Sequence, residues 1–369
     1  MRWILMVQDL LPTALAKINR KVEADIKQWW GLPRSASRDA IREAIGTPSM
    51  ADLAEQGQLI KHHIAQYSKD RNVRAAWASR KARNYKPIRK LTATFGAILP
   101  ESRVAAKRTL AHHQSQHLHS TVAKLKVQGQ WSKLELSEEQ QKRWRGMIWG
   151  LPASVTQFAT KAAIDLLPTR ANLARWKVAM DSGCPRCGVK ETLHHVLNNC
   201  SVLLTSGAYK WRHDSVLQQL HADILGSNQW DSVCVDLPGC PYALPFAPDA
   251  SWRPDLVLLA GKHRIHFVEL TIPFEANMPA AHLRKEQKYQ QLMGNARDAG
   301  LIPVLECIEM GSRGVPSKAW GAFAKTHKIR PSTTKACSEI ALRASMVVWG
   351  NRYSPWPDPP LLPQKTTEW

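Results

Sequence analysis

The sequence predicts a mixed α and α/β fold: a helical amino-terminal half, a small zinc knuckle, and an α/β domain around a central mixed sheet. Three observations lead to this prediction. Apolar residues recur every three or four positions through much of residues 1–180, which is the helical period. Three cysteines and a histidine are closely spaced between residues 184 and 200. Short runs rich in Leu, Val and Ile at 253–260, 265–272 and 303–310 have the composition of strands.

The charge of the chain favours a polyanionic partner. The 369 residues carry a net charge of +21, and residues 1–150 hold 27 Lys and Arg against 12 Asp and Glu. Ribosomal, histone-like and membrane-surface proteins can also be this basic, so charge gives only a class of partner. No apolar run approaches the length of a membrane span, and we expect no membrane association. Seven cysteines in a long chain favour a reducing compartment over a disulfide scaffold.

The amino-terminal half reads as helices joined by a basic segment. In residues 1–75 an apolar stripe with helical spacing runs from Leu11 to Trp29, and Gly31 and Pro33 end it. Residues 76–130 are predicted to form a basic linker or a solvated helix. Residues 131–225 return to helical patterning. Beyond them we expect an α/β domain at 226–345 and a proline-rich tail at 346–369.

A candidate zinc site lies inside the helical segment. Cys184, Cys187, His195 and Cys200 have the spacing Cys-x2-Cys-x7-His-x4-Cys. Two cysteines two residues apart can wrap a metal in a turn, and a following helix can supply the other two ligands. Thiolate and imidazole suit Zn²⁺, and four protein ligands make a structural site. The tandem pair leaves His194 open as the histidine ligand on spacing alone.

Two acids mark the predicted hairpin at 253–272. Asp255 opens its first strand and Glu269 lies deep in its second, and a tight turn at Gly261 joins the strands. Glu269 shares a strand face with Phe267 and not with its direct neighbours. A hairpin can therefore bring the two carboxylates together, where a hard cation such as Mg²⁺ would relieve their repulsion.

The helical stretch at 279–293 adds cations to this arrangement. Lys285 and Lys288 are three residues apart, so they lie on one helix face. Two acids that hold a metal, with a lysine that orients water or phosphate, are the minimum set for a phosphodiesterase.

The ordered set resembles a known nuclease family. Pro254-Asp255, a gap and Glu269 follow the pattern of restriction-enzyme-like nucleases, although Thr271 stands where their lysine usually lies. The branch that moves this lysine into the next helix is the endonuclease of site-specific, early-branching non-LTR retrotransposon polyproteins. Residues 9–13, 30–34 and 37 resemble the thumb that follows the polymerase palm in those proteins. No Tyr/Phe-x-Asp-Asp pair is present, so the chain resembles the carboxyl-terminal part of such a polyprotein, without the palm.

The resemblance implies a function. Asp255 and Glu269 would hold Mg²⁺ in a DNA-nicking endonuclease that primes reverse transcription, with Lys285 or Lys288 at the water or phosphate. Glu275 is a weaker candidate for a supporting carboxylate. The four-residue gap of the family's zinc motif favours His195 as the ligand. The implied partners are double-stranded target DNA and element RNA, and the implied location is the nucleus.

Three questions stay open at this stage. A nucleic-acid-binding remnant with a dead nuclease is the main alternative function, and a basic ribosome- or chromatin-associated protein is a third. Arg212 and His213 are candidates to face DNA, but a capping or core role fits them equally well. Cys234 and Cys240 lack an evident partner pair, so we expect free thiols there.

Overall fold

The computed structural model describes residues 12–82, 91, 93–96, 99–134, 136–242, 244 and 252–356, without the side chains of 12 and 80–82. The chain divides into two compact units. The first comprises Met1–Glu135 with Ala163–Leu166, and the second comprises Leu136–Ala162 with Leu167–Trp369. The start of the predicted thumb motif at 9–11, much of the basic segment at 83–90 and the tail from 357 lie outside the described residues.

The first unit consists of helices over its described part. The helices are α1 Pro12–Trp29, α2 Arg38–Ile45, α3 Met50–Gln66, α4 Arg71–Ala82 and α5 Arg103–Ala123. Their boundaries follow local chemistry. Ser37 caps α2 by accepting from the Ala40 N–H, and Ser49 and Asp52 form a capping box at α3. Gly31, just beyond α1, has a positive φ of 55°, which explains the end of the predicted stripe there.

The second unit begins with further helices around the zinc motif. These are α6 Glu138–Ile148, α7 Ala153–Ala163, α8 Arg170–Arg175, a π-helix at His195–Asn199, α9 Ser201–Thr205 and α10 Ala208–Gly226. Helix α10 packs extensively against the last helix of the chain, α14 Pro331–Gly350. Val216, Leu217 and Leu220 of α10 and Ala341 of α14 are buried in one apolar cluster.

A four-stranded mixed sheet follows, with the order β1-β2-β3-β4. Its strands are β1 Ser232–Val235, β2 Leu256–Ala260, β3 Arg264–Thr271 and β4 Ile302–Glu309. The predicted hairpin is present as the antiparallel pair β2–β3, and β4 runs parallel to β3. Strand β1 lies outside the three strand-like runs that the sequence predicted, and it pairs antiparallel with β2.

Helices cover both faces of the sheet. On one face, Leu256, Leu258, Val268 and Leu270 join the cluster of α10 and α14, together with Trp320 of α13 Lys318–Thr326. On the other face, Val257, Ile265 and Phe267 pack against Tyr289, Leu292 and Met293. This division follows from the alternation of side chains along a strand.

The helix predicted at 279–293 is divided in two. Helix α11 spans Met278–Lys288 and helix α12 spans Gln290–Asp298, with Tyr289 in a non-helical conformation between them. Tyr289 is fully buried at this break. The break lets its ring join the core while its hydroxyl reaches Glu269, a tertiary contact that helical periodicity does not reveal.

The fold is thus mixed helix with a small four-stranded mixed sheet, as predicted in outline. Among the described residues, no helix combines the length and the apolar character needed to cross a membrane.

Candidate metal centres

A tight turn and a short antiparallel bridge shape the zinc motif. The backbone N–H of Cys184 donates to the Val189 carbonyl (2.7 Å), and that of Gly188 donates to the Cys184 carbonyl (2.8 Å). Gly188 has a φ of 77°, in the left-handed region that favours glycine. The turn places the side chains of Cys184 and Cys187 on the same side of the loop, toward the helix that follows.

The four predicted ligands form one cluster. The Sγ atoms of Cys184, Cys187 and Cys200 and a ring nitrogen of His195 all lie within 4.8 Å of one another. Cys187 Sγ lies 3.3 Å from His195 Nε2 and 4.0 Å from Cys200 Sγ. With Zn–S at about 2.3 Å and Zn–N at about 2.0–2.1 Å, tetrahedral ligands are separated by similar distances. The residues therefore fit a structural Zn²⁺, which would cross-link the loop to the helical segment after it.

A π-helix brings the second pair of ligands together. His195 and Cys200 are five residues apart, and an α-helix of about 3.6 residues per turn would direct them to different sides. The segment His195–Asn199 is instead a π-helix, whose hydrogen bonds join residues five apart. A helix does follow the two cysteines, as predicted, and its wider turn explains the five-residue spacing of His195 and Cys200.

The tandem histidines have different surroundings. His195 is 4 % exposed and lies in the cysteine cluster, where burial lowers its pKa and keeps the imidazole neutral for a metal. His194 accepts a hydrogen bond from Asn277 Nδ2 (2.9 Å), and its ring lies against Phe274. The structure thus places His195, and not His194, among the ligands.

Burial makes the thiolate of Cys184 dependent on a cation. Burial is the main reason that the pKa of Cys184 is raised, to about 11, and the nearby charge of Cys200 adds to the effect. A thiolate here is unfavourable by itself, and a bound Zn²⁺ supplies the positive charge that stabilises it.

The zinc cluster is anchored to helix α10 and to strand β3. The Tyr209 hydroxyl accepts from the backbone N–H of Cys200 (3.0 Å) and donates to the Val196 carbonyl (2.9 Å). Two residues before Cys200, Asn198 Nδ2 donates to the carbonyl of Ile272, the residue directly after β3 (2.7 Å). These contacts fix the π-helical turn to the elements that carry the acids.

The predicted acid pair lies on one face of the sheet. Leu256 pairs with Val268 in the β2–β3 ladder, and one further step in this register places Asp255 opposite Glu269. Residues directly opposite in an antiparallel pair project to the same face. Both acids are buried, with Asp255 9 % and Glu269 3 % exposed.

Glu269 receives a lysine and a tyrosine. Lys285 Nζ forms an ion pair with Glu269 Oε1, and the Tyr289 hydroxyl lies 2.8 Å from Oε2. Lys288 Nζ donates to the Tyr289 hydroxyl (3.1 Å), so it reaches the acid only through the tyrosine. Burial and then the charge of Asp255 raise the pKa of Glu269, and Lys285 and Tyr289 oppose the increase.

Asp255 is held by a different set of groups from those that contact Glu269. Its Oδ2 accepts from the Leu270 N–H (2.7 Å) and lies 3.2 Å from His213 Nε2. His213 Nδ1 lies 3.0 Å from Asp214 Oδ1. Burial lowers the pKa of His213, but the charge of Asp255 and the hydrogen bonds of both acids outweigh it and raise the pKa to about 10. His213 therefore lies against Asp255, whereas the sequence left a DNA-facing role and a capping or core role open for it.

Two other candidate residues, Arg212 and Glu275, are buried and make hydrogen bonds within the protein. Arg212 is 1 % exposed and donates to the Ser345 hydroxyl (3.0 Å) and the Ile272 carbonyl (3.2 Å), so it does not face DNA. Both carboxylate oxygens of Glu275 accept from Arg313, from its backbone N–H and its Nε, each at 2.6 Å. Glu275 is therefore held in a buried ion pair with Arg313, and its assignment as a supporting carboxylate stays a prediction.

Thr271, which replaces the usual lysine, lies two residues after Glu269 and therefore on the same strand face. Its Oγ1 is buried and has no hydrogen-bond partner among the described residues. Glu309 of β4 pairs with Thr271, and its Oε1 lies 2.7 Å from His282 Nδ1. Tyr289 and Glu309 belong to this cluster and were not singled out from the sequence.

The comparison with known families concerns the zinc region. Residues 126–205 match the family model described as zinc-binding in reverse transcriptase. These residues contain all four cluster ligands, so a reverse-transcriptase-related zinc-binding region is established for this part of the chain.

The match, together with the Cys3His geometry, supports a retrotransposon-related protein that binds zinc. The matched region covers well under half of the 369 residues. No curated protein matches the chain.

Proposed function

We propose that the chain is an Mg²⁺-dependent DNA endonuclease whose zinc region helps to bind nucleic acid, and that its α/β domain is restriction-endonuclease-like. The observation that carries this proposal is the register of the hairpin, which places Asp255 opposite Glu269 with Lys285 at Glu269. The donor set fits Mg²⁺, because two buried carboxylates supply the oxygen ligands that this ion prefers. The buried Thr271 hydroxyl on the same face, which has no hydrogen-bond partner among the described residues, offers one further oxygen.

Each residue of the site has a separate role in this proposal. Asp255 and Glu269 would hold the cation, which lowers the pKa of bound water and offsets charge on the phosphate. Lys285 is the lysine that we assign to the reacting phosphate or water, because it contacts the acid directly. Lys288 supports Tyr289 instead. His213 and the Leu270 N–H hold Asp255 in place.

The reaction is the hydrolysis of one phosphodiester. A water oxygen forms a bond to phosphorus while the bond from phosphorus to O3′ breaks. One proton of the water ends on O3′ and the other passes to solvent. The products are a 5′-phosphate and a 3′-hydroxyl, and a 3′-hydroxyl is the group that can prime reverse transcription.

The partners in this proposal are double-stranded target DNA and element RNA, and the protein acts in the nucleus. The net charge of +21 supports binding to phosphate backbones. Affinity for a DNA duplex should then fall steeply with salt concentration, as counterion release requires.

A plasmid-nicking assay with Mg²⁺ tests the proposal. Asp255→Asn and Glu269→Gln should each reduce nicking by about 100-fold or more, since the bound ion contributes several kcal/mol to the transition state. Asp298→Asn is the matched control, because Asp298 is an exposed acid at the end of α12.

Equal nicking by the parent and by the two acid variants would indicate a contaminating nuclease and end the proposal. A parent chain that binds DNA and zinc but does not nick would support the alternative, a nucleic-acid-binding protein with an inactive nuclease.

A further inference from the structure

Three side chains that can bind a metal meet on the other face of the sheet. His266 lies three residues before Glu269 in β3, so it projects to the face opposite the acids. Its Nδ1 lies 3.0 Å from Glu306 Oε2. His327 Nε2 lies 2.7 Å and 2.8 Å from the two oxygens of Glu306. One donor atom from each of the three residues lies within 4.8 Å of the other two.

The three residues come from different elements. His266 is in β3, Glu306 is in β4, and His327 follows directly after α13. The parallel register pairs Val268 with Glu306, which places His266 and Glu306 on the same face as diagonal neighbours. The positions are distant in sequence and form no recognisable motif, so only the register and the packing of α13 bring them together.

Aromatic contacts hold the two imidazole rings in place. The ring of Trp230 lies 5.0 Å from that of His266 and 5.3 Å from that of His327, measured between centroids. Phe323 lies 4.6 Å from His327 on its other flank. The ligands therefore lose little further side-chain freedom when an ion binds, which favours affinity.

The chemistry of the cluster suits a divalent transition metal. Hydrogen bonding alone requires a proton on each of the two ring nitrogens that face Glu306. A cation can replace both protons and bind all three groups at once. With metal–ligand distances of about 2.0–2.2 Å, tetrahedral ligand atoms lie ~3.3 Å apart. The present separations of 2.7–3.0 Å need to open by only a few tenths of an ångström.

We propose that His266, Glu306 and His327 form a second metal site, which binds Zn²⁺ through two imidazoles and one carboxylate. The side chains of His266 and Glu306 are 11 % and 16 % exposed, so a water molecule can reach the fourth position. The site contains no sulfur, in contrast to the Cys3His cluster. An ion bound here ties α13 to the sheet and stabilises the second unit.

Cobalt distinguishes the two metal centres. The chain is purified with Zn²⁺ in its cysteine cluster, excess Mg²⁺ is added to occupy oxygen-only sites, and Co²⁺ is then titrated. The parent should bind one Co²⁺ with visible ligand-field bands and no thiolate charge-transfer band. Glu306→Gln and His327→Asn should bind Co²⁺ at least ~100-fold more weakly, since loss of even an outer-shell partner costs about 10–100-fold. His263→Gln, at the exposed β2–β3 turn, is the matched control and should bind as the parent does.

Two results would overturn the proposal. One is a parent chain that shows no sulfur-free Co²⁺ spectrum at saturation, which decides the matter even if a variant fails to fold. The other is equal Co²⁺ affinity in the parent and in Glu306→Gln, which would show adventitious binding. As a second measurement, Zn²⁺ should raise the melting temperature of the zinc-loaded parent and leave that of folded Glu306→Gln unchanged.

Discussion

Glu275→Gln separates a structural carboxylate from a metal ligand. The side chain of Glu275 is 0 % exposed and that of Arg313 is 4 % exposed, and they share an ion pair at 2.6 Å. Arg313 also donates to the Ala162 carbonyl (3.2 Å), and its guanidinium lies over the Phe274 ring. Replacement by glutamine removes the carboxylate charge that faces the buried guanidinium. We expect the free energy of unfolding to fall by about 3–5 kcal/mol, the usual cost of breaking a buried pair.

The assay is hydrogen exchange in increasing denaturant, which follows the second unit separately from the first. A double-mutant cycle with Arg313→Met isolates the interaction between the two side chains. Glu286→Gln provides a surface control, because the Glu286 side chain is 45 % exposed, and its effect should stay within about 0.5 kcal/mol. A Glu275→Gln chain as stable as the parent, but with weaker Mg²⁺ binding, would refute the structural role and restore Glu275 as a ligand.

Three further tests address the cysteine cluster, the lysines beside Glu269 and a turn at Gly314. Cys187→Ser should abolish the thiolate charge-transfer band of the Co²⁺-substituted cysteine cluster, whereas Cys240→Ser, at an exposed thiol, should keep it. Lys285→Ala should slow plasmid nicking by about 100–1,000-fold, as loss of a transition-state donor does. Lys288→Ala should have a smaller effect, because this lysine contacts the tyrosine and not the acid. Gly314→Ala should destabilise the second unit by about 1–3 kcal/mol in denaturant unfolding, since its φ is 84° and an added Cβ would lie 2.6 Å from a backbone carbonyl of α14.

Each of these has a clear contrary result. An unchanged cobalt spectrum in Cys187→Ser would remove this thiolate from the ligand set. A larger reduction of the nicking rate in Lys288→Ala than in Lys285→Ala would exchange the roles of the two lysines. A Gly314→Ala chain of parental stability would mean that the loop relaxes without cost.

Local sequence patterns were sufficient to predict those groups that lie close together along the chain. The zinc ligands follow from a spacing within 17 positions, from Cys184 to Cys200, and the cluster contains the predicted set. The acid pair follows from side-chain alternation in a hairpin with a short turn. In both cases the chain itself limits how far apart the groups can lie.

Local patterns could not predict contacts between segments that are distant in the sequence. Strand β1 has only four residues and is recognisable by its pairing with β2 alone. The break at Tyr289 arises from a core position and a hydroxyl partner, which override helical propensity. The pair of Glu275 and Arg313 joins residues 38 positions apart, so the sequence offered no reason to prefer a structural role for Glu275.

Helix α10 contacts both the zinc cluster and Asp255. Tyr209 and His213 are one turn apart on this helix; the first holds the backbone at Cys200, and the second lies against Asp255. A displacement of Tyr209 should therefore also displace His213, because only one helical turn separates them. Under the proposed function, a structural ion would then influence the position of the Asp255 carboxylate, and chelation of zinc should slow plasmid nicking even when the sheet stays folded.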